Sequence, residues 1–433
     1  MNQTALLYKH FLQHPIVCSD TRKIIPGCIF FALKGENFNG NKFASKALDN
    51  DAAYIVVDEK IIDDRTEKII EVEDVLSALQ QLAAHHRNEL TIPVMALTGS
   101  NGKTTTKELI YAVLKQQYNV LATQGNLNNH IGVPLTLLGL KKSHEIAVIE
   151  MGANHQKEIE QLCMIAQPNS GLITNIGKAH LEGFGGEEGI KKGKGELYDY
   201  LRKQDGIIFI NQDSDKLKDI LKGYDKTVTY GTSGNIQYCG SAIGSDLFLK
   251  VQITKPFSIE IKTQLTGSYN LENVLAAVAV GSEWNVPPEK IKDAIEAYTP
   301  SNQRSQIIRK NNIIIVLDAY NANPSSVEAA LRNFETSFNG KKLVALGEML
   351  ELGNESEREH LYIGELLSTM KLNEVILVGS NFKTVATRFN FMHFNDSTTA
   401  AEYFSKLKHE TFSLLIKGSR GVKMEKILEG FEE

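Results

Sequence analysis

The sequence is poor in cysteine, contains no long apolar run and has no strong excess of one charge. Its four cysteines, at positions 18, 28, 163 and 239, form no CxxC pair and lie near no histidines at metal-ligand spacing. This pattern indicates neither a zinc site nor a disulfide framework. No apolar run approaches the roughly 18 residues of a membrane span, and the N-terminus lacks the apolar core and cleavage site of a signal peptide. We therefore expect a cytoplasmic protein without membrane insertion.

The composition is that of a protein folded along its whole length. Hydrophobic residues make up 42% and charged residues 23%, a balance typical of globular proteins. The length of 433 residues predicts about three domains at ~150 residues each. A net charge of −5 gives no general attraction for nucleic acids, so anions have to be bound at local sites. We expect small-molecule partners, no nucleic acid and a monomeric chain.

The pattern of apolar segments predicts an α/β protein of three domains. Residues 1–88 carry short apolar segments and a helical stretch, which predicts a small α/β domain. Residues 89–299 alternate apolar strands with helices, as a parallel sheet covered on both faces requires, and then change to alternating strands that predict a small antiparallel sheet. Residues 300–433 return to strand and helix alternation, which predicts a Rossmann-like domain.

The segment TGSNGKTTT, residues 98–106, stands where the first strand of the middle domain turns into a helix. Gly99 and Gly102 allow backbone N–H groups to approach phosphate, Lys103 supplies a positive charge, and the Thr104 hydroxyl is a ligand for Mg²⁺. The match is to the shorter GxxGKT, because Leu97 stands where the usual P-loop has glycine. A Gly-rich turn with an incidental lysine is the alternative, and we favour ATP binding.

Two side chains follow neighbouring strands of the predicted middle sheet. Glu150 ends the strand IAVIEM, and His180 lies in the loop NIGKAHLEGFG after the strand GLITNI. In an open parallel sheet the carboxyl ends of the strands hold the ligand, so these groups are predicted to converge on metal and phosphate. A histidine in a Gly-rich loop is otherwise more often structural.

Lysines cluster in EEGIKKGKGELYDYL at positions 191, 192 and 194. A solvated basic helix face is the simpler interpretation. A lysine facing a metal ion can instead have a depressed pKa, react with CO₂ and become an anionic carbamate ligand. Spacing alone does not distinguish these alternatives.

Eight segments together resemble the Mur ligases, in the order in which that family has them: TGSNGKTTT, GNLNNHIGVPLTLL, EMGANH, NIGKAHLEGFG, GSYNLENVLAA, DAYNANPSS, LGEMLELG and KGSRGVKME. Within the family, TRKIIPGCIFFALKGENFNGNKF, YNANP and GEMLELG resemble the members that add D-alanyl-D-alanine to UDP-N-acetylmuramoyl-tripeptide. The resemblance implies an ATP-dependent amide ligase of peptidoglycan precursor synthesis that works through an acyl phosphate, with ATP and Mg²⁺.

The resemblance also implies a set of site residues. Catalysis would involve Lys103, His180 and a carbamylated Lys194, with Lys192 as the alternative. ATP would be bound by Gly99, Asn101, Gly102, Lys103, Thr104, Thr105, Asn270, Asn273, Arg304, Asp318, Tyr320 and Asn321, and the metal by Thr104, Glu150, His180 and Lys194. The UDP-muramoyl substrate would be contacted by Ser19, Thr21, Arg22, Lys34, Gly35, Asn126 and Asn129, and the dipeptide by Lys417, Ser419 and Arg420. For Arg304, an arginine in an interdomain linker is the alternative.

Other functions of the same fold stay open at this point. A related ligase would add meso-diaminopimelate or lysine one step earlier, or glutamate to a folate, although LKGENFNG and YNANP argue against these. A nucleotide-dependent switch and a binding protein without catalysis are further alternatives. For a ligase, the anhydride has to be protected from water, so we expect the third domain to close over the site as a rigid body.

Overall fold

A computed structural model describes residues 3–244 and 247–432. The first unit is built on a four-stranded parallel sheet in the order β1-β2-β5-β6, with a small hairpin, β3-β4, beside it. Its strands are β1 Val17–Cys18, β2 Ile29–Phe31, β3 Lys34–Gly35, β4 Phe38–Asn39, β5 Tyr54–Val57 and β6 Ile69–Glu71. Its helices are α1 Gln3–Gln13, α2 Ala44–Asp49 and α3 Val75–Glu89, with 3-10 turns at Thr21–Lys23, Gly40–Phe43 and Thr66–Lys68.

The central unit contains a nine-stranded sheet in the order β15-β14-β13-β12-β11-β10-β7-β9-β8. The seven strands from β8 to β13 in this order are parallel, and β14 and β15 extend the same sheet in antiparallel fashion. The strands are β7 Val94–Thr98, β8 Val120–Ala122, β9 Ile146–Glu150, β10 Ser170–Ile173, β11 Ile207–Asn211, β12 Thr227–Gly231, β13 Tyr238–Ile243, β14 Phe248–Lys255 and β15 Ile259–Thr266.

Helices cover both faces of the central sheet. Successive residues of its buried strands point to opposite faces, so both faces carry apolar side chains that have to be covered. In β7, Val94 and Ala96 pack into one apolar cluster, and Met95 and Leu97 pack into the other. The helices are α4 Lys103–Leu114, α5 Gly132–Leu137, α6 Glu158–Ala166, α7 Leu181–Phe184, α8 Glu187–Lys203, α9 Asp215–Leu221, α10 Leu271–Glu283 and α11 Pro288–Ala297, with a 3-10 turn at Ser268–Asn270.

The first and central units share one apolar core. Helix α3 packs against α5 and α6 of the central unit, and its buried residues belong to the same cluster as those of β7 and β9. Asp74 begins α3 by accepting the backbone N–H of Ser77, as helix N-caps do. Near its end, the buried Arg87 donates to the carbonyls of Ala166 and Gln167 at the end of α6. The two units are therefore joined by both apolar packing and hydrogen bonds.

The third unit is a six-stranded sheet in the order β16-β17-β21-β18-β19-β20, in which only the pairing of β16 with β17 is antiparallel. Its strands are β16 Gln306–Lys310, β17 Ile313–Asp318, β18 Lys342–Gly347, β19 Glu374–Val378, β20 Met392–Phe394 and β21 Phe412–Lys417. Its helices are α12 Pro324–Ser337, α13 Ser356–Thr369, α14 Lys383–Phe389 and α15 Ser397–Ser405, with 3-10 segments at Gly353–Glu355, Ser380–Phe382, Arg420–Val422 and Met424–Phe431.

A short connection, residues 298–305, joins α11 to β16. Three of its residues, Asn302, Gln303 and Ser305, have φ values of 58°, 59° and 48°, a left-handed conformation that side chains with a Cβ disfavour. The α/β class predicted from the sequence is confirmed, whereas the boundaries at residues 88 and 299 stay predictions. Across residues 3–244 and 247–432, the structure contains no helix that is both long enough and apolar enough to span a bilayer.

Candidate active site

The predicted phosphate loop lies between β7 and α4, at the carboxyl edge of the central sheet. Gly99 and Gly102 have φ values of 147° and 78°. A Cβ atom at Gly99 would come within 1.9 Å of Thr174 Oγ1, and one at Gly102 within 2.6 Å of Asn273 Oδ1. Only glycine therefore fits at both positions, and the loop leads directly into the N-terminus of α4, where free N–H groups and the helix dipole favour an anion.

Lys103, the first residue of α4, folds back over this loop. Its Nζ donates to the carbonyl oxygens of Gly99 at 2.7 Å and Ser100 at 3.2 Å. Loss of hydration lowers the pKa of Lys103 to about 8, against the opposing effect of Glu150, and the nearby Arg304 lowers it further. The ammonium group is thus held by weak neutral acceptors, and a phosphate would be a stronger partner.

Glu150 ends β9 and is 1% exposed. Its Oε1 accepts from Thr104 Oγ1 at 3.2 Å and from Asn128 Nδ2 at 2.7 Å. Its Oε2 is buried and has no hydrogen-bond partner among the described residues. A buried carboxylate oxygen without a partner is costly, and a carboxylate beside a hydroxyl suits Mg²⁺, which binds few protein ligands and completes its shell with phosphate and water. The residues therefore fit a magnesium ion.

His180 lies in the loop between β10 and α7, and its Nδ1 makes an ion-pair contact with the carboxylate of Glu351 in the third unit. This contact holds the pKa of Glu351 below its ordinary value. Within the described part of the chain, no group of three or more His, Cys, Asp or Glu side chains is placed to hold a metal ion. A metal at Glu150 and Thr104 would therefore need further ligands from the nucleotide and water.

The two candidate lysines of α8 differ in burial. Lys194 is fully buried, whereas Lys192 is exposed. Lys194 Nζ donates to the Ala153 carbonyl at 3.0 Å and lies 4.8 Å from the centroid of the Phe184 ring. Burial, and secondly the charge of Lys103, hold the pKa of Lys194 well below its usual range. A neutral amine inside the site is the form that reacts with CO₂, so the geometry favours Lys194.

Two predicted nucleotide residues, Asn270 and Asn273, are buried beside α4. Asn273 Oδ1 accepts from Thr106 Oγ1 at 2.9 Å, and its Nδ2 donates to Asn270 Oδ1 at 2.8 Å. Asn270 in turn donates to the Thr266 carbonyl. These bonds connect the phosphate loop and its helix to the end of β15.

The third unit brings a second group of predicted residues to the same edge. The guanidinium of Arg304 lies 3.7 Å from the centroid of the Tyr320 ring. Asp318 Oδ2 pairs with Lys417 Nζ at 2.6 Å, and Lys417 also donates to the carbonyl of Asn321 at 3.2 Å. Lys417 and Ser419 are each 2% exposed and are used in internal hydrogen bonds. Of the three residues predicted near the dipeptide, only Arg420 is exposed.

The residues predicted to contact the UDP-substrate lie mostly on the surface. Ser19 and Thr21 are half-buried, and Gly35 and Asn126 are exposed. Arg22 forms a two-bond pair with Asp20, and Lys34 pairs with Asp58 at 2.9 Å and Glu59 at 3.0 Å. Asn129 accepts the backbone N–H groups of Ile131 and Gly132 at the start of α5. The positive charges of Arg22 and Lys34 are thus already balanced by carboxylates.

Polar contacts join the third unit to the central site. Asn323, which caps α12, donates through Nδ2 to Asn101 Oδ1 of the phosphate loop at 2.7 Å. Lys178 Nζ pairs with the buried Glu359 of α13 at 2.7 Å. Together with the contact of His180 and Glu351, these bonds place the two units in a closed arrangement around the loop.

Family profiles match segments in all three units of the chain. The profile of the Mur ligase middle domain matches residues 97–281, that of the Mur ligase glutamate ligase domain matches residues 303–420, and that of the Mur ligase family catalytic domain matches residues 15–87. The chain is 35% identical over 430 residues to the UDP-N-acetylmuramoyl-tripeptide–D-alanyl-D-alanine ligase of Bacillus subtilis, with 96% of this chain and 93% of that protein covered. The chain belongs to the Mur ligase family.

Solved structures of Mur ligases have the same fold. A crystal structure of MurF from Acinetobacter baumannii matches with a TM-score of 0.88 at 33% identity, covering 96% of this chain and 92% of that one. The MurF ligase from Thermotoga maritima in complex with ADP matches with a TM-score of 0.85 at 28% identity, covering 97% of each chain. The three-part architecture of this Mur ligase is therefore that of the MurF structures.

Two site residues of this Mur ligase were missed by sequence reasoning. Asn128 contacts Glu150 directly, but the segment GNLNN offers three asparagines and their positions in a loop show no periodicity. Glu351 contacts His180, and it lies in GEMLELG, a segment that carries the family resemblance but does not by itself indicate a role for Glu351. Glu351 has a φ of 63°, and such a backbone conformation is not visible in sequence.

Proposed function

We propose that this Mur ligase joins D-alanyl-D-alanine to UDP-N-acetylmuramoyl-tripeptide with ATP, through an acyl phosphate and with release of ADP and phosphate. The observation that carries the proposal is the grouping of Lys103, Thr104 and the unpartnered oxygen of Glu150 at the carboxyl edge of the central sheet. The names of the full-length relatives, including the Escherichia coli ligase that is 34% identical, support this choice of substrates.

The first step is transfer of the terminal phosphoryl group of ATP to the tripeptide carboxylate. Two anions have to approach each other, so the site has to offset their repulsion. Lys103 exchanges its bonds to Gly99 and Ser100 for bonds to phosphate oxygens, and the N–H groups of the loop and of α4 add further donors. Magnesium bound at Thr104 and Glu150 would supply positive charge there, with His180 and a carbamate on Lys194 as further metal-binding groups.

The carbamate would form when the neutral amine of Lys194 attacks CO₂ and loses a proton. A buried anion then stands beside Lys103 in place of a neutral amine, and each of the two opposite charges stabilises the other. This explains why a lysine is placed at a position where its own ammonium form is disfavoured.

In the second step the neutral amine of the dipeptide attacks the acyl phosphate, and phosphate leaves. Water would hydrolyse the same anhydride, so the site has to be closed at this stage. The contacts of Asn323 with Asn101 and of Lys178 with Glu359 would hold the third unit over the loop. We assign nucleotide contacts to Thr105, Asn270, Asn273, Arg304, Asp318, Tyr320 and Asn321.

Substrate contacts are part of the same proposal. The first unit would bind the uridine nucleotide near Ser19, Thr21, Arg22, Lys34 and Gly35, with Asn126 and Asn129 beside the muramoyl peptide. Because Arg22 and Lys34 already pair with carboxylates, we expect them to contribute less than free cations to diphosphate binding. Arg420 would lie nearest the dipeptide. A monomeric, cytoplasmic enzyme is proposed with these roles.

Mass spectrometry tests the proposal directly. The purified chain is incubated with ATP, Mg²⁺, UDP-N-acetylmuramoyl-tripeptide and D-alanyl-D-alanine, and the UDP-muramoyl-pentapeptide is sought together with ADP. Formation of ADP and phosphate without a new amide would show that the chain hydrolyses ATP but is not this ligase. Omission of the dipeptide is the matched control, and it should leave the tripeptide nucleotide unchanged.

A further inference from the structure

Two residues from different units meet at the edge of the site, and both have an unusual backbone. His180 of the central unit has a φ of 56°, and Glu351 of the third unit has a φ of 63°. A side chain with a Cβ disfavours this left-handed region, and such residues persist where their surroundings hold them and are concentrated at functional sites. The imidazole Nδ1 of His180 contacts the carboxylate of Glu351. Two disfavoured conformations are therefore maintained on either side of a single contact.

The two residues before Glu351 are held in place within the third unit. The backbone N–H of Met349 donates to His360 Nε2 at 3.0 Å, and that of Leu350 donates to Ser419 Oγ at 3.0 Å. The carbonyl of Glu351 accepts the N–H of Glu182, two residues after His180, at 3.4 Å. The backbone that leads to Glu351 is thus fixed by hydrogen bonds within the third unit, and the Glu351 carboxylate reaches His180 only when the two units are together.

The chemistry of a histidine ring explains what this contact does. A carboxylate at Nδ1 selects the tautomer with its proton on Nδ1 and leaves the lone pair on Nε2. Nδ1 of His180 is buried, and among the described residues it has no hydrogen-bond partner apart from this close contact with the Glu351 carboxylate, so Nε2 is the nitrogen that a ligand can use. The His180 side chain is 20% exposed, and that of Glu351 is 54% exposed, so a ligand can approach.

We propose that Glu351 is a positioning residue which the third unit supplies on closure, and which sets the tautomer and orientation of His180 for phosphoryl transfer. The inference rests on the proposed function, since it assigns a role in that reaction. The contact of Glu351 with His180 would couple closure of the third unit to phosphoryl transfer, because His180 is correctly oriented only after the third unit has covered the nucleotide. ATP would then be protected from hydrolysis while the site is open.

The pair of Lys178 and Glu359 provides a matched control. It crosses the same interface at 2.7 Å, two residues before His180 in the sequence, but it does not contact the imidazole. A variant that only weakens closure is therefore Lys178→Met, and a variant that removes the charge facing His180 with little change in shape is Glu351→Gln.

The variants are compared by steady-state kinetics, by small-angle scattering with an ATP analogue and both substrates, and by ¹⁵N spectra of histidine-labelled protein in which His180→Gln assigns the ring. Glu351→Gln should lower kcat by about 10- to 100-fold, as loss of such a carboxylate partner does. It should leave the KM for ATP and the scattering change unaltered and shift the His180 ring nitrogens. Glu351→Asp should recover part of kcat. Lys178→Met should reduce the scattering change and raise KM, with the His180 signals retained.

Three results would overturn the inference. The first is a kcat for Glu351→Gln within twofold of the unaltered enzyme. The second is the same loss of closure in Glu351→Gln as in Lys178→Met, which would make Glu351 merely a contact that holds the units together. The third is a full additional loss when Glu351→Gln is combined with His180→Gln. If the unaltered chain forms no amide, the proposed function fails, whereas the ring-nitrogen signals still report separately whether Glu351 sets the tautomer.

Discussion

At the scale of single residues, burial determines the chemistry of the lysines around the phosphate loop. Lys194 is fully buried and Lys192 is exposed, although only one residue separates them in α8. The spacing in EEGIKKGKGELYDYL does not show which of the two lysines is buried. The face of a helix that packs against its neighbours depends on tertiary packing. In the structure Lys194 lies on the buried face of α8, which favours it as the candidate for carbamate formation.

Lys194→Ala should lower kcat by at least about 100-fold, since it removes an anionic group from a site that is organised by electrostatics. A short carboxylic acid such as acetate or propionate should restore part of the activity by replacing the carbamate. Lys192→Ala is the control, and it should act like the unaltered enzyme in the same coupled assay. If Lys192→Ala were the damaging change and acetate restored nothing to Lys194→Ala, the assignment would be wrong.

The depressed pKa of Lys103 predicts a pH dependence of nucleotide binding. Below its pKa of about 8 the side chain is a cation that attracts phosphate, and above that value it becomes neutral. The affinity for a non-hydrolysable ATP analogue should therefore fall between pH 7 and pH 9, by up to about tenfold in all, as the protonated fraction of Lys103 falls. Calorimetry at several pH values measures this.

Lys103→Met should bind the analogue weakly at every pH and lose the dependence. Lys115→Met, which changes an exposed lysine at the end of the same helix, should keep it. Equal affinities at pH 7 and pH 9 for the unaltered chain would contradict the role of the ammonium group.

At the scale of elements, the phosphate loop depends on glycine for space as well as for conformation. Gly102→Ala should weaken binding of the ATP analogue at least tenfold, because the new Cβ would lie 2.6 Å from Asn273 Oδ1. The left-handed backbone alone costs about 1–2 kcal/mol for alanine. Gly223→Ala is the matched control, since Gly223 has a similar φ of 73° with no atom within 4 Å.

Both variants should lose stability in urea unfolding, but only Gly102→Ala should lose nucleotide affinity in calorimetry. Unchanged affinity in Gly102→Ala would mean that Asn273 can move aside without consequence for the loop.

Elements that are buried on both faces could be predicted from the sequence, and short or exposed ones could not. The strands β7, β9 and β10 are predicted from apolar runs, because a covered parallel strand has little room for polar residues. Strands β8 and β20, with three residues each, give no measurable period. The predicted antiparallel strands continue the central sheet as β14 and β15, and pairing of this kind depends on contacts distant in sequence.

At the scale of the whole molecule, the first and central units should unfold together because they share one apolar core and the hydrogen bonds of Arg87. Arg87→Met should lower the free energy of unfolding by about 3 kcal/mol, as it leaves buried carbonyl groups without donors. Arg388→Met, which changes an arginine that is 58% exposed, should change it by less than about 0.5 kcal/mol. Urea denaturation of both variants measures the difference, and a loss below 1 kcal/mol for Arg87→Met would contradict the coupling.

The candidate site could be predicted in its central unit more fully than in its interface with the third unit. The loop at residues 98–106 and Glu150 follow from strand ends in one sheet, which sequence order reveals. The contacts of Asn323 with Asn101 and of Glu351 with His180 join segments more than 170 residues apart. Their geometry depends on how two sheets are oriented, and no local pattern encodes that orientation.

The connection at residues 298–305 has a consequence for turnover. Three of its side-chain-bearing residues are left-handed, a conformation that costs about 1–2 kcal/mol for each residue with a Cβ atom. A reorientation of the third unit that returned these residues to right-handed or extended conformations would recover that free energy, and it would favour separation of the units after the reaction.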